Sequence, residues 1–162
     1  MKSAQIAPLA GGTKGWRQLC FNSRMAVHEG GCVCGAVRYR VKNPPFRTGV
    51  CHCRFCQRRT GSAFGIGAYF KNEDVEITRG ELKSYEHRSD ESNRWLKMEF
   101  CPDCGTTVTW TLEVFPGGRG VAGGTFDDPG WLKIERHSWT RSAQHWVPIP
   151  PDLPKFEKSS IG

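Results

Sequence analysis

The sequence predicts an all-β, zinc-stapled fold, meaning antiparallel sheets with at most short helical turns and bound zinc joining distant segments. Apolar and polar residues alternate with a period of two through the middle of the chain, as in half-buried strands. Glycines interrupt these segments, and no stretch longer than about ten residues has a helical apolar stripe. Seven of the eight cysteines lie in three short clusters with the spacing of metal ligands.

Five segments carry the alternation and are predicted to be strands. They are AVRYRV at 36–41, AFGIGAYF at 63–70, DVEIT at 74–78, RWLKMEF at 94–100 and TTVTWTLEV at 106–114. In the second segment one face is apolar and contains Phe64, Ile66, Ala68 and Phe70. A single short helical turn is expected near Arg54 to Thr60, in the middle cysteine cluster.

We expect one domain with two flanking segments. Residues 1–24 contain four basic residues and no acidic one, and they lack the apolar centre of a secretory signal, so they are interpreted as a disordered extension. Residues 25–147 are predicted to form the zinc-binding β domain, and residues 148–162 a proline-rich extended tail. Because no apolar run approaches the roughly 18 residues of a membrane span, we expect a soluble cytoplasmic protein without a membrane partner.

The formal charge of +7 does not indicate a nucleic-acid partner. Four of the 23 basic residues lie in the extension, so 19 basic residues oppose 16 acidic ones in the rest of the chain. Seven cysteine thiolates on two Zn²⁺ ions would reduce that remaining charge to zero. The domain would then lack the positive surface on which phosphate binding depends, and no nucleic acid is expected.

The cysteine clusters contain two kinds of ligand pair. They are Cys32-Val-Cys34-Gly35, Cys51-His-Cys53-Arg-Phe-Cys56 and Cys101-Pro-Asp-Cys104-Gly105. Residues i and i+2 of a strand point to the same side, so Cys-x-Cys presents two sulfurs to one point. Cys-x-x-Cys followed by glycine does so from a tight turn. One pair of each kind supplies the four thiolates of a closed tetrahedral zinc site.

Cys51, Cys53 and Cys56 form a group of three, one ligand short of a closed site. Three protein ligands with an open fourth position are typical of a reactive zinc site, where water or substrate completes the coordination. Cys20, in the extension, stands alone. The incomplete set is the main sequence evidence for catalysis.

Other uses of the cysteines fit the sequence less well. Disulfides are disfavoured because no secretion signal is visible and Cys-x-Cys is too local for an easy bridge. A thioredoxin-type redox pair opens a helix, whereas strand-like segments flank CPDC, and the spacings of ferredoxin clusters do not match. His52 is interpreted as an ordinary surface histidine pointing away from the metal, with proton transfer as the alternative.

Three segments, EGGCVCGAVRYRV, GVCHCRFCQRRTGSAFG and EFCPDCGTTV, resemble the signature of the glutathione-dependent formaldehyde-activating enzyme family. GGTFDDPGWLKIERHSWTRSAQHW is similar to the family's C-terminal region. The resemblance implies a β-tent fold with two zinc ions per chain. Cys32, Cys34, Cys101 and Cys104 would hold a structural zinc, and Cys51, Cys53 and Cys56 a second, more labile one. It also implies a carbon–sulfur lyase acting on glutathione and formaldehyde, or on their adduct S-hydroxymethylglutathione.

A small thiol or thiol adduct is therefore the expected substrate, with glutathione as a possible co-substrate. Arg54 and Arg58, together with Arg59, lie beside the three-cysteine group and are candidate partners for the two glutathione carboxylates. Solvated arginines at a turn are the alternative. The downstream tryptophans are interpreted as core side chains: Trp95, Trp110, Trp131, Trp139 and Trp146.

Two classes of function remain open from the sequence. The first is a zinc-dependent lyase of glutathione adducts. The second is a zinc-stapled protein-interaction module without catalysis, because the family also resembles centromere protein V and the β-tent fold occurs in accessory proteins of small GTPases. The incomplete metal site favours the enzyme.

Overall fold

A computed structural model describes residues 27–90 and 92–161, and the extension predicted at 1–24 lies outside these residues. The described residues contain eleven strands and one α-helix. They are β1 (His28–Gly31), β2 (Arg38–Val41), β3 (Arg47–Cys51), α1 (Arg54–Thr60), β4 (Gly65–Lys71), β5 (Val75–Arg79), β6 (Lys83–Arg88), β7 (Trp95–Phe100), β8 (Thr107–Leu112), β9 (Gly118–Ala122), β10 (His137–Ser138) and β11 (Lys155–Phe156). The all-β class is confirmed, and each of the five predicted strand segments overlaps an observed strand.

The strands form two sheets. One has the order β1-β2-β5, and the other has the order β11-β10-β3-β4-β9-β8-β7-β6. The predicted antiparallel pairing holds for every named pair except those of β10, which runs parallel to both β3 and β11. Parallel neighbours need a long connection, and the chain between β3 and β10 contains most of the larger sheet.

Helix α1 is bounded by features that are readable in the sequence. The Cys56 backbone N–H donates to Cys53 Sγ at 3.3 Å, so a cysteine takes the capping position before the helix. Gly61 ends the helix with φ 61°, in the left-handed region that glycine adopts without strain. The helical turn predicted at Arg54 to Thr60 is confirmed.

The core lies between the two sheets and contains one face of β4. Ala68 and Phe70 are completely buried, as is Val41 of β2, while Tyr39 of β2 is 1% exposed. Phe126 packs edge-on against Tyr39, with ring centroids 5.5 Å apart. The opposite face of β4 is therefore available for a different purpose.

The proline-rich tail contributes to the larger sheet. Its residues Lys155–Phe156 form β11 at the sheet edge, paired with His137 and Ser138. None of the helices in the described part of the chain is long and apolar enough to cross a membrane.

Candidate functional site

The first cysteine cluster brings four sulfurs together from two distant turns. The sulfurs of Cys32, Cys34, Cys101 and Cys104 all lie within 4.8 Å of one another. Cys32 and Cys34 are 3.4 Å apart, and Cys34 and Cys101 are 3.7 Å apart. A tetrahedral ion with metal–sulfur bonds of about 2.3 Å places its ligand atoms about 3.8 Å apart, so this set fits a closed metal site. The distances exceed the roughly 2.05 Å of a disulfide.

Two similar turns shape this cluster. Gly35 donates its N–H to the Cys32 carbonyl and Gly105 donates to the Cys101 carbonyl, both at 3.0 Å. Both glycines have positive φ, 77° and 73°, which allows the chain to reverse immediately after each pair. Cys32 lies just after β1 and Cys34 in the following turn, so the prediction of a Cys-x-Cys pair within a strand is wrong here.

The second cluster lies where β3 meets α1. The sulfurs of Cys51, Cys53 and Cys56 lie within 4.8 Å of one another, and all three residues are partly buried. Cys51 ends β3, whereas Cys53 caps α1 and Cys56 lies in the first turn of the helix. Among the described histidines, cysteines and acidic residues, none adds a fourth ligand to this group. It is therefore suited to hold a metal with an open coordination position.

The charges of the three thiols are strongly linked. Hydrogen bonds from Cys51 and Cys56 lower the pKa of the Cys53 thiol to about 3. Hydrogen bonding to Cys53 and Cys56, together with burial, raises the pKa of Cys51 far above its usual range. One thiol of the cluster therefore ionises easily, whereas ionisation of a second thiol is disfavoured. A cation at the centre of the cluster would remove that penalty, as expected of a metal-binding set.

A pair of buried histidines supports the second cluster from behind. His52, between Cys51 and Cys53, is completely buried, and its Nε2 lies 3.0 Å from Nδ1 of His137 in β10. The Gln57 side chain donates to the His52 carbonyl at 2.7 Å. Burial lowers the pKa of both histidines and so favours their uncharged forms, in which one nitrogen of the 3.0 Å contact donates and the other accepts. The interpretation of His52 as a surface residue is wrong.

A cavity of about 350 Å³ opens beside the second cluster. Its floor is the face of β3 and β4 that points away from the core, where Gly49, Gly65 and Gly67 carry no side chain. A Cβ on Gly67 would lie 3.0 Å from Trp110, and one on Gly65 would lie 3.6 Å from Cys56 Sγ. The space therefore exists because alternate residues of these strands are glycine.

Aromatic and cationic side chains form the walls of the cavity. Trp110 of β8 crosses the floor, and the guanidinium of Arg59 lies 4.6 Å from the centre of its ring. Phe55 of α1 stacks on His87 of β6 with ring centroids 4.1 Å apart, which joins the helix to the far edge of the sheet. Both Cys53 and Cys56 line this cavity. A bound molecule would thus lie against the second cluster.

The sequence matches the glutathione-dependent formaldehyde-activating enzyme family over residues 27–142. This chain belongs to that family. It is 25% identical over 127 residues to a Halomonas elongata protein named "Putative glutathione-dependent formaldehyde-activating enzyme", covering 76% of this chain and 70% of that protein. Its fold is similar to a crystal structure of a Rhodobacter sphaeroides protein, with TM-score 0.50 and 21% identity over 79% of this chain and 98% of that one. That structure supports the fold alone.

In this family member, the two arginines predicted to contact glutathione lie at the cavity rim. Arg54 and Arg58 line the cavity and are exposed to solvent. Arg54 donates a hydrogen bond to the side chain of Gln57, one turn along α1. Both are accessible to a ligand, and their contact with glutathione stays a prediction.

The interpretation of the tryptophans as core is wrong for two of the five. Trp95 is 47% exposed and Trp146 is 64% exposed. Trp95, Trp110 and Trp139 line the cavity, so part of the aromatic surface faces a potential ligand. Period-two alternation identifies which residues share a sheet face, but it cannot tell a core face from a cavity face.

The sequence interpretation missed three residues of this site: Arg47, Arg136 and His137. Arg47 lies in β3 at an even spacing from Cys51, a signal that places both on one face of the strand. Arg136 and His137 reach the site through the parallel pairing of β10 with β3. No short-range pattern reveals that pairing.

Proposed function

We propose that this protein is a zinc-dependent carbon–sulfur lyase that forms or breaks S-hydroxymethylglutathione, or acts on a related small thiol conjugate. One observation carries the proposal: three cysteine sulfurs form an incomplete ligand set on the wall of a cavity, while four others form a complete set elsewhere. An incomplete set leaves a position for a substrate atom. Family membership supports the same activity.

The proposed metal assignment follows from the chemistry of the donors. Cys32, Cys34, Cys101 and Cys104 would hold a structural zinc, and Cys51, Cys53 and Cys56 would hold the second. Thiolates are soft ligands that zinc accepts in both kinds of site. When bound by three thiolates, zinc would keep an incoming thiol deprotonated near neutral pH, and a thiolate is the form that adds to an aldehyde.

The side chains of the cavity would bind and orient the reactants. The Cys56 N–H holds the Cys53 sulfur in place, and Arg59 places a positive charge close to Cys56, since a Cβ on Gly65 would lie 3.0 Å from Arg59 Nη2. Trp110 contributes an apolar surface to the cavity. In the addition, sulfur gives its electron pair to the aldehyde carbon, and the carbonyl oxygen takes up the proton that the thiol lost. The reverse reaction returns both.

Exchange between glutathione, formaldehyde and S-hydroxymethylglutathione, followed by NMR, tests the proposal. The zinc-loaded protein should accelerate exchange over protein-free buffer, and Cys53→Ser should return it to the buffer rate while the protein stays folded. Arg40→Gln serves as the control, because the Arg40 side chain is exposed on the smaller sheet, and this variant should retain the full rate. Cobalt substitution should give spectra that change with glutathione but not with S-methylglutathione.

Two results together would reject the lyase. These are an exchange rate equal to that of buffer and cobalt spectra that do not respond to glutathione. They would favour the zinc-stapled interaction module, in which the second metal is structural.

A further inference from the structure

The face of β3 that carries Cys51 also carries a positive charge. Arg47, Gly49 and Cys51 alternate along one side of the strand, and all three line the cavity. Four residues of an extended strand span about 13 Å, so Arg47 lies across the cavity from the sulfur cluster. The two ends of the cavity therefore differ in chemistry, with thiols at one and a guanidinium at the other.

A second arginine, Arg136, directly precedes β10 and lies beside the middle of β3. The carbonyl of Arg136 accepts the Val50 N–H at 3.0 Å, which fixes Arg136 beside β3. A Cβ on Gly49 would lie 3.1 Å from Arg136 Cγ, so the arginine stem crosses β3 where no side chain stands. Arg136 also lines the cavity. Two arginines, one in β3 and one next to β10, thus line the same cavity.

The protein itself compensates these charges only in part. The Arg47 guanidinium lies 5.1 Å from the centre of the Phe115 ring, in a cation–π contact. Burial and the charge of Arg136 lower the pKa of Arg47. Arg136 Nε is buried and has no hydrogen-bond partner among the described residues. The nearby Glu135 acts on Arg47, but its carboxylate also accepts the Thr48 N–H at 3.2 Å.

Arg47 is held from the tail side only weakly. Its Nη1 contacts the carbonyl and hydroxyl of Ser160 at 3.4 Å each, beyond the usual range for hydrogen bonds. Two partly buried arginines that repel each other, one of them with an unused donor, are a good receptor for a carboxylate, which accepts charge-assisted hydrogen bonds from both. The exposed rim residues Arg54 and Arg58 do not require a bound anion to compensate their charges, because solvent screens those charges.

We propose that Arg47 and Arg136 form an anion subsite for a carboxylate of the thiol substrate, and so select thiols that carry an acid group remote from their sulfur. The sulfur position assumed here rests on the proposed function, whereas the carboxylate contact does not. Cysteine-containing peptides meet this requirement. A simple alkyl thiol has no anion to place between the arginines, and its adduct would be a poor substrate.

Calorimetric titration of the full-length, zinc-loaded protein with S-methylglutathione tests the subsite, because this probe keeps both carboxylates and has no free thiol. Arg47→Gln and Arg136→Gln should each weaken its binding about tenfold or more, the scale of a hydrogen bond to a charged group. Raising the salt concentration should weaken wild-type binding as well. A double variant combines Arg47→Gln with Arg136→Gln. The diethyl ester of S-methylglutathione should bind the wild type as weakly as the free acid binds this double variant.

Matched variants separate this loss from misfolding. Arg47→Lys keeps the charge but loses the planar fork, so it should fall between the wild type and Arg47→Gln. Arg40→Gln, whose arginine pairs with exposed Glu29, should bind like the wild type. Circular dichroism and zinc content should be the same for all variants.

Unchanged affinity in both glutamine variants, or equal affinity for acid and ester, would overturn the subsite. The subsite would also be overturned if the wild type bound neither S-methylglutathione nor glutathione. The proposed lyase can fail separately. S-methylglutathione could bind in a manner that depends on the two arginines while the protein fails to accelerate exchange. That result would reject the proposed lyase activity and support the anion subsite.

Discussion

Serine in place of Cys101 should destabilise the protein far more than serine in place of Cys53. Cys34 and Cys101 are separated by 67 positions in the sequence, and their sulfurs are 3.7 Å apart. A cross-link across that length removes unfolded-chain entropy equivalent to about 4 kcal/mol near room temperature. Domains of this size are stable by only about 5–15 kcal/mol, so Cys101→Ser should lose a large part of its free energy of unfolding.

The second cluster gives a sharp comparison, because its ligands lie within residues 51–56 and close only a short loop. Loop-closure scaling makes its contribution about 2 kcal/mol smaller than that of the first cluster. Urea unfolding of both variants, with metal content measured on the same samples, determines the difference. Wild-type protein treated with a strong chelator should resemble Cys101→Ser. Equal losses in the two variants, or unchanged stability and metal content in Cys101→Ser, would refute the division into a structural and a reactive site.

Three further variants probe the rest of the structure. His137→Ala should lower the free energy of unfolding by about 1–3 kcal/mol in urea, because it leaves Nε2 of buried His52 unpaired; an unchanged midpoint would exclude that contact. Phe70→Ala removes a completely buried side chain and should lower the free energy of unfolding by about 3–5 kcal/mol in the same assay. A decrease below about 1 kcal/mol would be inconsistent with the core described. Gly67→Val adds a side chain to the cavity floor beside Trp110 and should reduce S-methylglutathione affinity in calorimetry; full affinity would place the ligand elsewhere.

Local patterns were sufficient to predict five of the eleven described strands, together with α1 and both cysteine groups. Alternation over a few residues records which side of a strand is buried, as at Ala68 and Phe70. Cysteine spacing is equally local, and it identifies the ligand pairs whether they lie in a strand or in a turn. For this reason the grouping was correct even though Cys32 and Cys34 do not lie within a strand.

Features that depend on distant pairing were not predictable in this way. His52 is buried because His137, 85 positions later, lies against it, and nothing next to His52 in the sequence records that neighbour. Arg136 approaches β3 through the same parallel pairing. Gly65 and Gly67 of the cavity floor lie in a segment that was predicted to be a strand, but their function as a floor depends on the strands that flank them.

The contact between Arg47 and Ser160 joins two parts of the site that are synthesised at different times. Ser160 follows Arg47 by 113 positions, so at translation rates of about 5–20 residues per second it is synthesised roughly 6 to 23 seconds later. During that interval the thiols of the second cluster exist without the segment that covers this side of the cavity. Metal ions and cellular thiols can reach the nascent cluster through a wider opening than the finished protein has. Loading during synthesis and reloading after metal loss should therefore proceed at different rates.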